Sequence, residues 1–420
     1  MFKFLHAADI HLDSPLRGLS RHDTAPVDAI RGACRRAFEN LVERAIDEQV
    51  AFVLLAGDIY DGDWKDYSTG IFLSRQLGRL GKHGIPVFAV AGNHDAANRM
   101  TKALDGPANL HILGARQVES VHLDTCRVTI HGRSFETRHV HDNLAAGFPP
   151  AETGRFNIGL LHTSLDGREG HAPYAPCSID DLRATGYDYW ALGHVHQQEF
   201  VARDPWIVFP GCLQGRHSRE TGAKGCVLVT VAGGSAAVEP IELDVLRWER
   251  CGVDLGDAAD MPALLVRLRQ VLTDAVTAAD GRPLALRLCL QGATPLADRL
   301  GAYPERLEQQ IRALAAETAG DDLWIERVEL ALEQRLSLDD ALAEDRPLAR
   351  LLHDILAMPA QAGQIDGLDD ALAELKQKLP PEALAPDSAL DLGDAQNLER
   401  LIHEARRLLV GRLLSAGDPG

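Results

Sequence analysis

Polar side chains that can bind metal ions follow several short apolar runs in the first half of the chain. Each run is typical of a buried strand, and the polar group comes where the strand would end. In one example, Gly57 separates the Val- and Leu-rich run 52–56 from the carboxylate of Asp58. The other side chains of this kind are Asp9, His11, Asn93, His162, His194 and His196. Because neighbouring strands present their carboxyl ends to one crevice, we expect these residues to converge there.

These seven side chains predict a site for two divalent metal ions. Carboxylate, imidazole and amide groups without thiolate suit Mn, Fe or Zn better than a structural zinc site. Two ions about 3.5–4 Å apart, sharing one carboxylate, can activate a water and clamp the oxygens of a phosphoryl group during its transfer. Taken singly, each residue has a structural alternative, such as a helix cap, a turn residue or a buried histidine. The pattern as a whole favours metal binding, because those separate structural roles would otherwise have to coincide.

An alternation of strands and helices is predicted to position these residues. Strands are expected at 1–8, 52–56 and 86–90, with amphipathic helices at 27–49 and 66–82 between them. This order predicts a parallel sheet with right-handed crossovers. Short strands follow after residue 117, and their closeness suggests antiparallel partners in a second sheet packed on the first. They are expected at about 118–123, 126–132, 156–161, 187–192, 206–209 and 225–231.

Three domains are predicted, because the chain is too long for a single core. Residues 1–245 carry the candidate metal ligands, and residues 246–335 alternate helices and strands as a small α+β unit does. Residues 336–420 are helical and rich in Ala, Leu, Asp and Glu, with prolines interrupting the pattern. The last helix, expected at about 395–414, is strongly amphipathic, which is typical of core packing, with docking to a partner as the alternative.

The composition is that of an ordinary globular protein, with 45% hydrophobic and 25% charged residues. The net charge of −18 argues against nucleic acid as a partner, since DNA affinity usually depends on Lys and Arg. The acidity is uneven, because residues 1–240 carry a net charge of −4 and the remainder carries −14. Seven scattered cysteines without a CxxC pair fit a reducing compartment. We expect a cytoplasmic protein with no membrane segment.

The motifs D-x-H, G-D, G-N-H-D, a lone strand-end His and G-H-x-H occur in that order along residues 9–196. In this order they resemble the calcineurin-type metallophosphoesterase superfamily. The segments ADIHLDSPLRGL and FPGCLQGRHSRETGAKG (209–225) resemble, within it, the YhaO-type branch of the SbcD-like DNA repair exonucleases. Specific motifs cover about residues 1–240, and beyond them only the order of elements matches. The resemblance implies an α/β fold, a four-layer α/β/β/α sandwich, with a small α+β capping domain and C-terminal helices.

The same resemblance implies a function and partners. It implies a manganese-dependent DNA nuclease, a 3′-to-5′ exonuclease with single-strand endonuclease activity, that works in DNA repair with an SMC-like coiled-coil ATPase. Such nucleases bind the ATPase through C-terminal helices, and relatives often form homodimers through nuclease-domain helices. Two alternatives stay open at this point. One is a phosphatase or phosphodiesterase that uses the same metals on a small molecule, and the other is a DNA-end-binding scaffold subunit with a vestigial site.

The resemblance also implies a role for each candidate residue. Asp58 would bridge two Mn²⁺ ions, and the other ligands would be divided between them. One ion would be held by Asp9, His11 and His196, and the other by Asn93, His162 and His194. His94 would not bind metal, but would be the general acid for the leaving sugar oxygen or stabilise charge in the transition state. Asp61 would orient His94 and keep it protonated, although some relatives have a histidine at that position.

A glycine-rich loop at 211–225 carries basic residues that are candidates for contacts with substrate phosphates. They are Arg216, His217, Arg219 and Lys224. The alternative is a structural turn between two strands whose charges are solvated. The resemblance favours the phosphate contacts, because it includes this segment.

Overall fold

The computed structural model describes most of the chain as two compact units. The first unit comprises Met1–Glu249 and Ala279–Ala285, and the second comprises Arg250–Ala278 and Leu286–Gly420. The residues that the structure describes are 1–14, 27–61, 67–97, 107–166, 174–256, 258, 260–334, 347–359, 365, 367–379, 392 and 394–416. The division into three domains stays a prediction.

In the first unit, strands and helices alternate up to about residue 97, and strands predominate thereafter. In chain order the elements are β1 (Phe2–Ala7), α1 (Val27–Asp47), β2 (Phe52–Ala56), α2 (Ser68–Lys82), β3 (Val87–Val90), α3 (Asn93–Ala97), β4 (Leu110–Ile112), β5 (Glu119–Leu123), β6 (Val128–Arg133), β7 (Phe156–His162), α4 (Ile179–Ala184), β8 (Tyr189–Gly193), β9 (Glu199–Arg203), β10 (Trp206–Phe209), β11 (Gly225–Ala232) and β12 (Ser235–Glu242). Every strand and helix predicted in this region is present, whereas α3, β4, α4, β9 and β12 were not predicted.

The strands of this unit form two sheets. The order in the first is β12–β11–β1–β2–β3–β4, with β1 to β4 parallel and β11 antiparallel to both β1 and β12. The order in the second is β5–β6–β7–β8–β10–β9. The prediction of antiparallel partners is wrong for its centre, where β6, β7, β8 and β10 run parallel. The segments after β6 and β7 are long enough for crossovers, which need about a dozen residues. The predicted strand β11 pairs in the first sheet.

Four layers result from the alternation of apolar side chains along the central strands. On β2, Val53 and Leu55 pack in the same cluster as apolar residues of α1 and α2. Phe52 and Leu54 point to the other face and pack against residues of the second sheet. A third cluster covers the outer face of the second sheet with residues of α4 and of the 3-10 turn Leu144–Gly147. The predicted α/β/β/α sandwich is therefore confirmed.

The two sheets touch where β2 and β8 end. A Cβ atom added to Gly193 would lie 1.9 Å from the carbonyl oxygen of Ala56, so only a glycine fits between these backbones. The carboxyl ends of β1 and β2 are also joined, because the backbone N–H of Asp9 donates to the carbonyl oxygen of Gly57 at 3.1 Å. Strand ends from both sheets consequently open onto one place in the unit.

The chain from residue 247 onwards forms a smaller α+β arrangement followed by helices. Its elements are β13 (Arg247–Asp254), α5 (Met261–Ala278), β14 (Leu284–Thr294), α6 (Ala297–Ala302), α7 (Pro304–Ala319), β15 (Leu323–Gln334), α8 (Pro347–Ala357), α9 (Leu368–Lys378) and α10 (Ala395–Ala416). The strands form a sheet in the order β13–β14–β15. Of the predicted helical region, residues 336–346, 360–364, 366, 380–391, 393 and 417–420 lie outside the described residues.

The last helix, α10, packs within the second unit. Val410 is buried in a small cluster with Leu352 and Ile355 of α8, and Leu413 packs partly against this cluster. Leu409, another apolar residue of α10, is 50% exposed. Part of the amphipathic face is thus used for core packing, and docking to a partner stays a prediction.

Two further findings concern the whole described chain. The seven cysteines are free thiols, as their scattered positions predict. Among the described residues, none of the helices combines the length and the apolar character that a membrane span requires.

The close approach of the two sheets generates a stability prediction. Gly193→Ala should lower the free energy of unfolding by at least about 1–3 kcal/mol, because the new methyl group meets backbone that cannot rotate away. Gly78→Ala in α2 is the matched control, since nothing lies within 4 Å of its added Cβ. This control should gain roughly 0.5–1 kcal/mol, as alanine is favoured over glycine in a helix. Urea denaturation followed by circular dichroism measures both. Equal stabilities for the two variants would contradict the contact.

Candidate metal centre

Strained backbone marks the loops after β1 and β2. Asp9, His11 and Asp58 have positive φ angles of 49°, 47° and 51°, in the left-handed region that non-glycine residues rarely adopt. Each such residue costs of the order of 1–3 kcal/mol, and strain of this kind collects at functional sites. The two loops hold each other, since the N–H of His11 donates to the backbone carbonyl oxygen of Asp58 at 3.0 Å. The backbone of three candidate ligands is therefore strained, as is typical of functional sites.

Asp9, His11 and His196 form the first cluster. His11 Nε2 and His196 Nε2 lie 3.2 Å apart, and Asp9 Oδ1 lies 3.7 Å from His196 Nε2. Asp9 Oδ1 is buried and has no hydrogen-bond partner in the described part of the chain. Burial holds the pKa of His11 well below its usual value, so its ring is neutral and has a lone pair to offer. Together these groups can hold one divalent cation.

His162, Asn93 and Asp58 form the second cluster. His162 Nδ1 donates to the carbonyl oxygen of Ala56 at 2.9 Å, which fixes the tautomer and leaves a lone pair on Nε2. That nitrogen faces Asn93 Oδ1 at 3.1 Å and Asp58 Oδ2 at 3.5 Å. Burial lowers the pKa of His162 to about 3, so Nε2 carries no proton at neutral pH. Three acceptors that face one another repel unless a cation lies between them.

Asp58 lies close to residues of both clusters. One of its oxygens lies within 4.8 Å of ligand atoms of Asp9 and His162, and one lies within the same distance of nitrogens of His11 and His94. Burial raises the pKa of Asp58 and of Asp9, and a neighbouring carboxylate adds to each shift. Two buried carboxylates so close together need positive charge to stay ionised. The residues present therefore fit divalent metal, by their donor types and by the acceptors left facing one another.

His194 lies beside the second cluster. Its ring centroid is 5.2 Å from that of His162, and its backbone N–H donates to Asp9 Oδ2 at 2.9 Å. Its φ angle is 105°, again in the left-handed region. The close-packed ligand groups found among the described residues do not include the His194 ring. Its role as a ligand stays a prediction, and its backbone N–H orients another candidate ligand, Asp9.

His94 and Asp61 form a pair next to the clusters. His94 Nδ1 donates to Asp61 Oδ1 at 2.9 Å, and Ser14 Oγ donates to Asp61 Oδ2 at 2.5 Å. The hydrogen bond to Asp61 raises the pKa of His94. Burial raises the pKa of Asp61, but the hydrogen bonds from His94 and Ser14 outweigh it and bring the value to about 2. The side chains of His94 and of the candidate ligand His196 are 29% and 25% exposed, whereas the other candidate ligands are buried. The pair therefore presents an imidazole whose charged form is favoured at an accessible position.

Two acidic residues that support the site were not predicted from the sequence. Asp95 accepts backbone hydrogen bonds from Ile59, Tyr60 and Gly92, at 3.2, 3.0 and 3.1 Å, and so ties the loop after β2 to the loop after β3. Glu220 accepts from His196 Nδ1 at 2.7 Å. Asp95 stands in the G-N-H-D motif, and Glu220 is an isolated acid in a basic loop, which is the one signal that could have singled it out.

The predicted phosphate-binding residues of the 211–225 loop divide into two kinds. Arg216 and Lys224 are turned inward, where Arg216 binds Glu220, and Lys224 Nζ donates to the carbonyl oxygen of His196 at 3.4 Å. His217 and Arg219 are exposed. The alternative of a turn with solvated charges does not describe Arg216 or Lys224. Contact with phosphate stays a prediction for all four residues.

The sandwich and its clusters of candidate metal ligands are those of a metal-dependent phosphoesterase, and comparisons with known proteins specify the family. Residues 2–198 match the family model "Calcineurin-like phosphoesterase", and residues 248–333 match "Metallophosphoesterase YhaO, middle domain". A Bacillus subtilis protein named "Uncharacterized metallophosphoesterase YhaO" is 36% identical over 327 residues, which cover 77% of this chain and 79% of that protein. The chain belongs to the calcineurin-like metallophosphoesterase family, in its YhaO branch.

More distant similarities were also found. The "DNA double-strand break repair protein Mre11" of Aeropyrum pernix is 29% identical over 297 residues, which cover 65% of this chain and 69% of that protein. Among solved structures, a dimetal phosphatase from Danio rerio matches 56% of this chain and 98% of its own, at 12% identity and a TM-score of 0.32. Membership of the family is shown by the YhaO relative, because its identity and its coverage of this chain are higher than those of the proteins named in this paragraph.

The position of Asp58 between the clusters generates a prediction about metal content. Asp58→Asn should reduce bound Mn²⁺ and weaken its affinity by at least about 10–100-fold, because the amide removes one negative charge from both clusters. Asp47→Asn, at an exposed position in α1, is the control and should bind Mn²⁺ as the wild type does. Metal analysis after dialysis, with calorimetric titration of the metal-free proteins, measures the effect. Wild-type Mn²⁺ content in Asp58→Asn would show that Asp58 is not a ligand.

Proposed function

We propose that this protein is a manganese-dependent nuclease that hydrolyses phosphodiester bonds in DNA. The observation that carries the proposal is the arrangement of an accessible His94, hydrogen-bonded to Asp61, beside clusters of candidate metal ligands. Such an arrangement offers charge neutralisation and a proton donor to an anionic ester. The choice of DNA is supported by the similarity to proteins named for DNA double-strand break repair.

The proposed division of ligands assigns two divalent ions, with Asp58 shared between them. One ion would be held by Asp9, His11 and His196, and the other by Asn93, His162 and His194. When bound, such ions neutralise the phosphodiester and lower the pKa of a coordinated water. The chain's own contribution is to keep the lone pairs of His11 and His162 available by burial and to place the carboxylates of Asp9 and Asp58 close together, where bound cations would keep both ionised.

His94 is proposed to donate a proton to the leaving sugar oxygen. Its Nδ1 is occupied by the hydrogen bond to Asp61, so Nε2 is the atom that carries the transferred proton. The backbone N–H of His94 donates to Asp58 Oδ1 at 2.9 Å, which fixes the histidine relative to the shared ligand. Asp61 positions the ring and favours its charged form, as the raised pKa of His94 indicates.

Binding of DNA would rely on local charge rather than on the charge of the whole chain. Arg138 is exposed and close enough to His94 for its charge to lower the pKa of that histidine. His217 and Arg219 are exposed in the loop that supports His196. The residues 1–240 are nearly neutral overall, so a few exposed cations can dominate the field at the site. From the family resemblance we propose 3′-to-5′ exonuclease action with single-strand endonuclease activity and a role in DNA repair. The proposed partners are an SMC-like ATPase and a second copy of this chain in a homodimer.

A variant of His94 separates metal binding from turnover. His94→Gln should lower kcat by about 10²–10⁴-fold, since glutamine keeps a polar group but cannot deliver a proton. Mn²⁺ affinity and DNA binding should be unchanged. His83→Gln, at an exposed histidine after α2, is the control and should keep full activity. Loss of a bound metal ion from His94→Gln would contradict its proposed role as a proton donor outside the ligand set.

The direct test is cleavage of blunt, single-stranded and hairpin DNA in Mn²⁺, with Asp58→Asn as the inactive reference. We expect the wild type to shorten linear DNA, and chelation of Mn²⁺ to stop it. Intact DNA, with and without an ATPase partner, together with rapid hydrolysis of p-nitrophenyl phosphate, would show that the substrate is a small phosphoester. Binding of DNA ends without metal or cleavage would instead show a scaffold subunit.

A further inference from the structure

The 211–225 loop is fixed in place by the residues around it. The backbone N–H of Cys212 donates to the carbonyl oxygen of His196 at 3.1 Å, so the start of the loop lies against a ligand-bearing segment. Trp248 Nε1 donates to the carbonyl oxygen of Gly215 at 3.0 Å. A Cβ atom on Gly215 would lie 2.7 Å from the carbonyl oxygen of Glu220, so the turn is closed tightly across its own width. This loop is a rigid support rather than a solvated connection.

Glu220 uses both of its oxygens inside this support. Its Oε1 accepts from His196 Nδ1 at 2.7 Å and from Arg216 Nη2 at 2.7 Å. Its Oε2 accepts from the backbone N–H of Arg216 at 2.8 Å and from Arg216 Nε at 3.3 Å. The side chain of Glu220 is 4% exposed. Because Nδ1 of His196 is held by this carboxylate, its Nε2 is left to face His11 and Asp9.

Arg216 extends the arrangement to the other side of the site. Its Nη1 lies 3.8 Å from Asp61 Oδ2, while Nη2 and Nε bind Glu220. Asp61 is in turn the acceptor for His94 Nδ1. The Arg216 side chain is 12% exposed, and its guanidinium lies between two carboxylates. A largely buried guanidinium with these partners has few N–H groups left for a substrate phosphate.

We propose that Glu220 and Arg216 are a positioning pair that sets the ring of His196 for metal binding and steadies the Asp61–His94 pair at the same time. The inference rests on the proposed ligand role of His196, and it replaces substrate contact as the role of Arg216. Carboxylates that hold the second nitrogen of a ligating histidine fix its tautomer, orient its ring and raise its basicity. A planar guanidinium suits the position because it can bind a carboxylate through two nitrogens, which lysine cannot do.

The test uses Glu220→Gln, which keeps the shape and removes the charge. Calorimetric titration of the metal-free full-length protein with Mn²⁺ alone should show affinity weakened by about 10–100-fold at one site. Arg216→Lys should weaken Mn²⁺ binding in the same direction, because Glu220 loses its two-nitrogen partner. Glu43→Gln removes one side of an exposed ion pair with Arg79 and should bind Mn²⁺ as the wild type does. Circular dichroism establishes that each variant is folded.

The outcomes separate this inference from the proposed function. High Mn²⁺ concentrations should restore most of the kcat of Glu220→Gln, because the missing effect is on metal affinity. Wild-type Mn²⁺ affinity in folded Glu220→Gln would overturn the proposal, as would an Arg216→Lys variant whose only defect is a raised KM for DNA. If Glu220→Gln fails to fold, Glu220→Asp carries the same titration, since it keeps the charge but shortens its reach to His196. Absence of DNA cleavage by the wild type would refute the nuclease and leave these metal titrations decisive.

Discussion

The burial of Asp9 and Asp58 side by side is the constraint on which the site depends. Both carboxylates are almost completely removed from water, and burial raises the pKa of each. Keeping either carboxylate ionised in such surroundings costs several kcal/mol of free energy unless positive charge lies nearby. The rings of His11 and His162 lie in the same space, but burial lowers their pKa values and keeps them neutral. These two histidines therefore cannot supply the positive charge. Divalent cations can, which explains why donors, burial and strained loops occur together here.

The fold supplies the convergence that this constraint requires. Parallel strands in both sheets bring the candidate ligands to one place, and the glycine at 193 lets the backbone of β8 lie directly against that of β2. A second set of groups fixes the rings and carboxylates of the site: Ala56 holds His162, Glu220 holds His196, Asp61 holds His94 and the N–H of His194 holds Asp9. The cost of the strained loops is tolerated because the sandwich beneath them is densely packed with apolar side chains.

Local sequence patterns predicted some parts of the fold and of the candidate site, and other parts depend on tertiary contacts. Strand ends and metal-type ligands were predictable because apolar runs followed by Asp, Asn or His are local patterns. The pairing direction of the second sheet was not, since closeness of strands in sequence does not reveal a crossover. Strand β12 was missed because its side chains are mostly exposed or half-buried and include Pro240. Glu220 and the inward turn of Arg216 were missed because both depend on the tertiary approach of the loop to His196.

The most direct test of the account is electron paramagnetic resonance of the metal-free protein titrated with Mn²⁺. The central claim is that one carboxylate, that of Asp58, is shared by two ions. Two Mn²⁺ ions that share a carboxylate would lie about 3.5–4 Å apart and would be magnetically coupled. The account predicts that the spectrum at saturation is that of a coupled pair, and that Asp58→Asn abolishes the coupling. A spectrum of isolated Mn²⁺ at saturation in the wild-type protein would contradict it.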